Sequence, residues 1–137
     1  RATTAARPVR VGLASDIGAG TSFSMLRTLG EAYKVARLNG YALSAAQAFY
    51  LATRGTAQAL YLDDRIGSIA VGMEADVIVL DLKSTPLIDF RMRYARDIHD
   101  VLFIQLTLGD EPAVLATYVD GKAVYQRGPR REDESAI

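Results

Sequence analysis

Few side chains in this sequence are equipped for chemistry, and one of them stands where a strand should end. Val9, Val11 and Leu13 make an apolar run that closes at Asp16, and Gly18-Ala19-Gly20-Thr21 follows before a helical pattern begins. In α/β proteins the C-terminal tip of a strand faces the open crevice, so a carboxylate there can reach a bound molecule. Such a carboxylate can accept and return a proton, or serve as an oxygen ligand to a metal ion. An aspartate after an apolar run is also an ordinary turn former or helix cap. The surrounding residues must decide between these readings.

The other candidates are weaker. The glycine-rich turn is a poor phosphate loop: Phe23 stands where a third glycine belongs, and no Gly-Lys-Thr/Ser follows. His99 is the one histidine, and a lone histidine makes no metal site; it reads as a surface or helix-terminal residue. Asp63-Asp64 and Asp110-Glu111 read as solvated turns. Arg91-Met92-Arg93-Tyr94-Ala95-Arg96 is the one basic patch and reads as a solvated face or a subunit contact.

Composition narrows the class further. The absence of cysteine excludes a disulfide framework and every cysteine-ligated zinc site. Sixteen basic and sixteen acidic residues balance to zero, which gives no bulk attraction to nucleic acid or an anionic membrane. No apolar stretch approaches the roughly 18 residues of a membrane span, and no signal peptide is visible. The expected setting is cytoplasmic.

The elements that must position Asp16 follow from local pattern. Residues 9–15 read as a short buried strand. Thr21 or Ser22 is placed to cap a helix carrying Leu26, Leu29, Tyr33 and Ala36 at helical spacing, stopped by Asn39-Gly40. Ser44 and Gln47 form a capping-box pattern, predicting a helix from Leu43–Ser44 to about Arg54, broken by Gly55. Thr56–Leu62 reads as a third helical segment. Beyond Asp63-Asp64 the pattern turns to strands at Ile66–Ile69 and Val77–Leu82, separated by the Val71–Glu74 turn. The unbroken apolar run Val77–Leu80 predicts a strand covered on both faces. Pro86–Arg96 reads as irregular. Asp97 caps a helix carrying Ile98, Leu102, Gln105 and Leu106, ended by Gly109. Val114–Val119 and Lys122–Gln126 flank Asp120-Gly121, a hairpin signal. The lone strand at 9–15 has no partner strand nearby, and buried unpaired backbone is costly, so it requires neighbours this chain does not supply.

Val11–Met25, with Asp16 at its centre, resembles the last barrel strand of the amidohydrolase superfamily. Arg65–Asp81 resembles the stretch in which that superfamily leaves the barrel and re-enters its β-sandwich, and Val119–Tyr125 resembles the closing hairpin. Val11–Met25 and Leu102–Asp110 are similar to guanine deaminases within it, and Thr21–Leu26 and Ala48–Thr53 extend the resemblance. The resemblance covers nearly all of residues 9–127. It implies an α/β fold: the C-terminal portion of a TIM-barrel metal-dependent hydrolase (last barrel strand and helices) plus part of a composite β-sandwich. It places barrel elements at 1–62 and a sandwich segment with an inserted helix at 63–127; the charged stretch from Gly128 on reads as a flexible tail at 128–137.

The chemistry implied is zinc-dependent hydrolysis of guanine to xanthine and ammonia, with Asp16 beside the zinc as both proton-transferring residue and metal-site residue. No other residue of this chain matches the family's zinc histidines, and His99 maps to none of them. A complete barrel takes about 250 residues, so the chain is expected to be an incomplete C-terminal portion, inactive alone. The remainder of its own barrel and a second copy in a homodimer are the implied partners, with no nucleic acid or membrane. Two rival expectations stand beside this one: a non-catalytic β-rich interaction module, and an amidohydrolase that deaminates another aminated heterocycle.

Overall fold

The computed structural model describes residues 9–128. Five α-helices, one short 3-10 turn and a three-stranded sheet make up these residues. The helices are α1 (Met25–Leu38), α2 (Ala45–Ala52), α3 (Arg54–Ala59), α4 (Pro86–Met92) and α5 (Ile98–Leu108). The strands β1 (Val77–Leu80), β2 (Val114–Val119) and β3 (Lys122–Gln126) form an antiparallel sheet in the order β1-β2-β3.

Local chemistry explains most of the boundaries. Ser44 and Gln47 form the expected capping box: the Ser44 hydroxyl accepts from the Gln47 N–H at 3.2 Å, and the Gln47 side chain accepts from the Ser44 N–H at 2.9 Å. The Asp97 carboxylate caps α5 by accepting from the Asp100 N–H at 3.0 Å, and Gly109 ends that helix. Asp120 and Gly121 take φ of 49° and 72°, the paired positive values that a type I′ turn demands, and the hairpin runs as expected.

Several expectations fail, each for a physical reason. The cap of α1 is Ser24, not Thr21 or Ser22: the Ser22 hydroxyl instead accepts from the Ser24 N–H at 3.0 Å, inside the turn that precedes the helix. Gly55 does not break α2. The chain turns at Thr53 (φ −125°, ψ −98°), whose hydroxyl donates to the Phe49 carbonyl at 2.8 Å, and Gly55 lies buried inside α3. The third helical segment accordingly starts earlier, at Arg54, and ends at Ala59. Pro86–Arg96 is not all irregular, because α4 occupies its first part. Thr85 caps that helix and Pro86 opens it, where a missing N–H costs nothing.

No strand forms at Ile66–Ile69 or at 9–15; both segments lack a partner ladder. β1 also departs from expectation. It stops at Leu80, and its residues are not covered on both faces, since Ile78 is 53% and Val79 44% exposed.

The core joins the helices to the start of the sheet. Leu26 and Leu29 of α1, Leu43, Ala45 and Ala48 at α2, Leu106 of α5 and Ala113 pack into one buried cluster. Leu29 is only 2% exposed, so Leu29→Ala removes transfer free energy and leaves a cavity. The variant is expected to lose about 2–5 kcal/mol of stability, read from urea unfolding. The predicted tail falls almost wholly outside the described residues.

Candidate active-site turn

The segment 9–15 is held to the helices rather than to a sheet. The Leu13 N–H donates to the Leu51 carbonyl and lies within reach of the Thr56 hydroxyl, both at 3.1 Å. The Thr56 hydroxyl lies 2.6 Å from the Leu51 carbonyl oxygen and 3.3 Å from that of Leu13. One hydroxyl thus ties the extended segment to the α2–α3 junction. Arg10 anchors the far end by donating to the Gln58 carbonyl at 2.8 Å, with its guanidinium 5.0 Å from the centre of the Tyr61 ring.

Past Leu13 the chain turns back on itself at Asp16. Its φ of 48° is left-handed, a conformation that Asp tolerates better than most residues. The Asp16 carbonyl accepts from the Ala19 N–H at 3.1 Å and the Gly20 N–H at 2.5 Å, and a single β-bridge joins Ile17 to Gly20. Gly20 has no room for a side chain, because a Cβ there would lie 1.8 Å from the Ser15 carbonyl oxygen. The outcome is a compact turn with Asp16 at its start, exposed to solvent. Among the described residues, no hydrogen bond or ion pair engages its carboxylate.

Several of the other acids are occupied elsewhere. Asp63 pairs with Arg54 at 3.4 Å, and Asp110 with Arg27 at 3.4 Å. Asp81 pairs with Arg127 at 2.6 Å. The hydrogen bond from Arg93, with Lys83 also close, holds the Asp89 carboxyl below the usual carboxylate range. Arg96 does the same for Asp100. Glu74 is bound by Arg65, whose guanidinium is held above its usual value by that contact. Asp63 and Asp64 sit in a turn as expected, whereas Asp110 caps the 3-10 helix Glu111–Ala113 instead, and Asp63 and Asp110 both carry ion pairs. His99 lies exposed in the first turn of α5. Arg93 and Arg96 of the basic patch are neutralised by Asp89 and Asp100.

These residues do not by themselves fit a metal centre. Catalytic zinc rests on about three protein ligands. Among the described residues, no three histidine, cysteine, aspartate or glutamate side chains come together in a way that could hold a metal ion. Asp16 offers one carboxylate and no companions. No helix of the described residues is long and apolar enough to cross a membrane.

A separate cleft of about 880 Å³ opens between α1, α2 and the sheet. Phe23, Leu26, Leu29, Phe49, Val77 and Ile78 are among its lining residues, and Asp16 is not. Its walls are apolar, and no sequence motif pointed to it, because it arises where elements distant in sequence fail to close over one another.

Known proteins resemble most of this chain. The amidohydrolase family model matches residues 3–124. Guanine deaminase of Escherichia coli (strain K12) is 52% identical over 121 residues, covering 88% of this chain and 28% of that protein. Its solved structure superposes with a TM-score of 0.85 over the same shares of the two chains. Guanine deaminase of Homo sapiens is 35% identical over 125 residues, covering 85% of this chain and 28% of that protein. The crystal structure of guanine deaminase from Bradyrhizobium japonicum matches with a TM-score of 0.84 at 28% identity, over 93% of this chain and 33% of that one. The chain thus spans roughly three tenths of the length of the relatives it matches.

Proposed function

The chain belongs to the amidohydrolase family, and from that premise we propose that it is the C-terminal portion of a guanine deaminase. The observation that carries this reading is the 52% identity to the E. coli guanine deaminase across 88% of the chain, with the same backbone path at a TM-score of 0.85. The reaction is hydrolysis of guanine by water, giving xanthine and ammonia. In this reading residues 1–62 are the last barrel strand and its following helices, and residues 63–127 belong to the β-sandwich.

Asp16 is the residue of this chain proposed to do chemistry. Its carboxylate sits exposed on a tight turn with no protein partner among the described residues, so it is free to face a bound molecule. Hydrolysis requires a proton to leave the attacking water and one to reach the departing nitrogen. A carboxylate with both oxygens free can accept the first and deliver the second. The zinc of the reading belongs to the whole protein, with Asp16 at the edge of its site. The described residues supply no further ligand cluster for it, so zinc retention requires the rest of the enzyme. A homodimer and a cytoplasmic setting belong to the same proposal.

Substrate class is the finer question, and ammonia release resolves it. The longest native form of the protein, supplied separately with guanine, adenine and cytosine, is expected to prefer guanine by about 10²-fold or more in kcat/KM. Turnover of adenine or cytosine without guanine would replace the substrate while leaving the family intact. Turnover of none would point to the non-catalytic interaction module.

A further inference from the structure

We propose that Thr56 is a positioning residue for Asp16: its hydroxyl holds Leu13 and thereby sets where the Asp16 carboxylate stands. This inference rests on the guanine deaminase reading, in which Asp16 moves the proton. Thr56 acts through Leu13 and not on the substrate.

Segment 9–15 forms no ladder, so a few polar contacts decide its place. Among the described residues, Arg10 and Leu13 are the two members of the segment that hydrogen-bond to other elements. Arg10 lies six residues before Asp16, and Leu13 only three. Extended chain advances about 3.3 Å per residue, so Leu13 is the last fixed point, about 10 Å of chain from Asp16. The turn beyond is closed on itself, because the Ala19 and Gly20 N–H groups both donate to the Asp16 carbonyl. It therefore moves as a unit with the chain that enters it.

The fixing of Leu13 depends on Thr56. Leu51 lies in the last turn of α2, where carbonyls have no partner within the helix. Its oxygen accepts from the Leu13 N–H at 3.1 Å and lies 2.6 Å from the Thr56 hydroxyl. With its proton given to Leu51, the hydroxyl oxygen is left to accept from the Leu13 N–H, also at 3.1 Å. One side chain thus joins the extended segment, the end of α2 and the start of α3. Gly12 shows independently how closely the segment sits on Thr56: a Cβ there would collide with Thr56 Oγ1 and lie 2.8 Å from its Cα. Valine has the shape of threonine but would turn a methyl toward the Leu13 N–H and the Leu51 carbonyl, removing both contacts.

The test compares Thr56→Val, Thr56→Ser and the unsubstituted sequence in the longest native form of the protein. It reads guanine turnover per bound zinc, and amide hydrogen exchange over residues 9–15. Thr56→Val is expected to lower kcat per zinc about tenfold, with KM and zinc content little changed. Exchange of the segment should quicken about tenfold. Thr56→Ser keeps the hydroxyl and is expected to restore both. An unchanged kcat in Thr56→Val overturns the proposal. So does an equal loss in Thr56→Ser, or a fall in turnover matched by a fall in zinc, which would mark a merely structural role. Should Thr56→Val fail to fold, Thr56→Ala removes the same hydroxyl with less bulk; failure of both to fold overturns the proposal as well. Guanine turnover by the unsubstituted protein, with exchange unmoved by Thr56→Val, defeats the Thr56 assignment alone. Quickened exchange in Thr56→Val, with no guanine turnover by the unsubstituted protein, defeats the functional reading alone.

Discussion

Asp16→Asn, introduced into the longest native form of the protein, is expected to lower guanine turnover by about 10²–10⁴-fold, the usual contribution of a positioned acid or base. The substitution is nearly isosteric. Asn tolerates the left-handed φ of 48° that this position adopts, so the turn should survive. What is lost is the ability to take up and return a proton. Zinc content should change far less than turnover. A parallel fall in both would make Asp16 chiefly a metal ligand, and unchanged turnover would remove it from the chemistry altogether.

Gly20→Ala is expected to cost about 100-fold in turnover by a different route, through misplacement of the carboxylate. The added methyl would meet the Ser15 carbonyl oxygen at 1.8 Å and the Asp16 carbonyl oxygen at 2.9 Å. Both are backbone atoms, so no side chain can swing aside. The turn must open, and the Asp16 backbone moves with it. Because residues 16–20 are exposed, the melting temperature should fall by only a few degrees. A kcat loss with little change in Tm would assign Gly20 to shaping the site. Wild-type kinetics would mean that the position of Asp16 is not critical.

The elements legible from sequence were those specified by their own neighbours. The Ser44–Gln47 capping box, the Asp97 cap and the Asp120-Gly121 hairpin each satisfy their requirements within a few residues, and each formed as read. The Thr85-Pro86 pair was an equally local signal for α4, obscured by the arginines and exposed residues that follow. Strands are different, because a ladder needs a second chain segment. Residues 9–15 and Ile66–Ile69 have strand-like composition but no partner among the described residues, so they run without one. The apolar run of β1 predicted cover on both faces, whereas Ile78 and Val79 are both exposed.

The candidate site was legible to the same degree. The place of Asp16, after an apolar run and before a glycine-rich turn, was readable; its left-handed conformation and the contact that forbids a side chain at Gly20 were not. The ion pairs that occupy Asp63 and Asp110 were invisible too, because Arg27 and Arg54 reach them through the fold. Among the described residues no cluster of His, Cys, Asp or Glu could hold a metal ion, so no metal centre was there to be read.

In the function proposed above, this chain is a necessary but insufficient portion of a guanine deaminase. Its most direct test is a guanine-to-xanthine assay, with zinc quantified, on the 137-residue chain beside the longest native form of the protein. Xanthine formation and about one zinc are expected in the long form, with neither in the short one. A folded long form that neither retains zinc nor converts guanine, or a short chain active by itself, would contradict it.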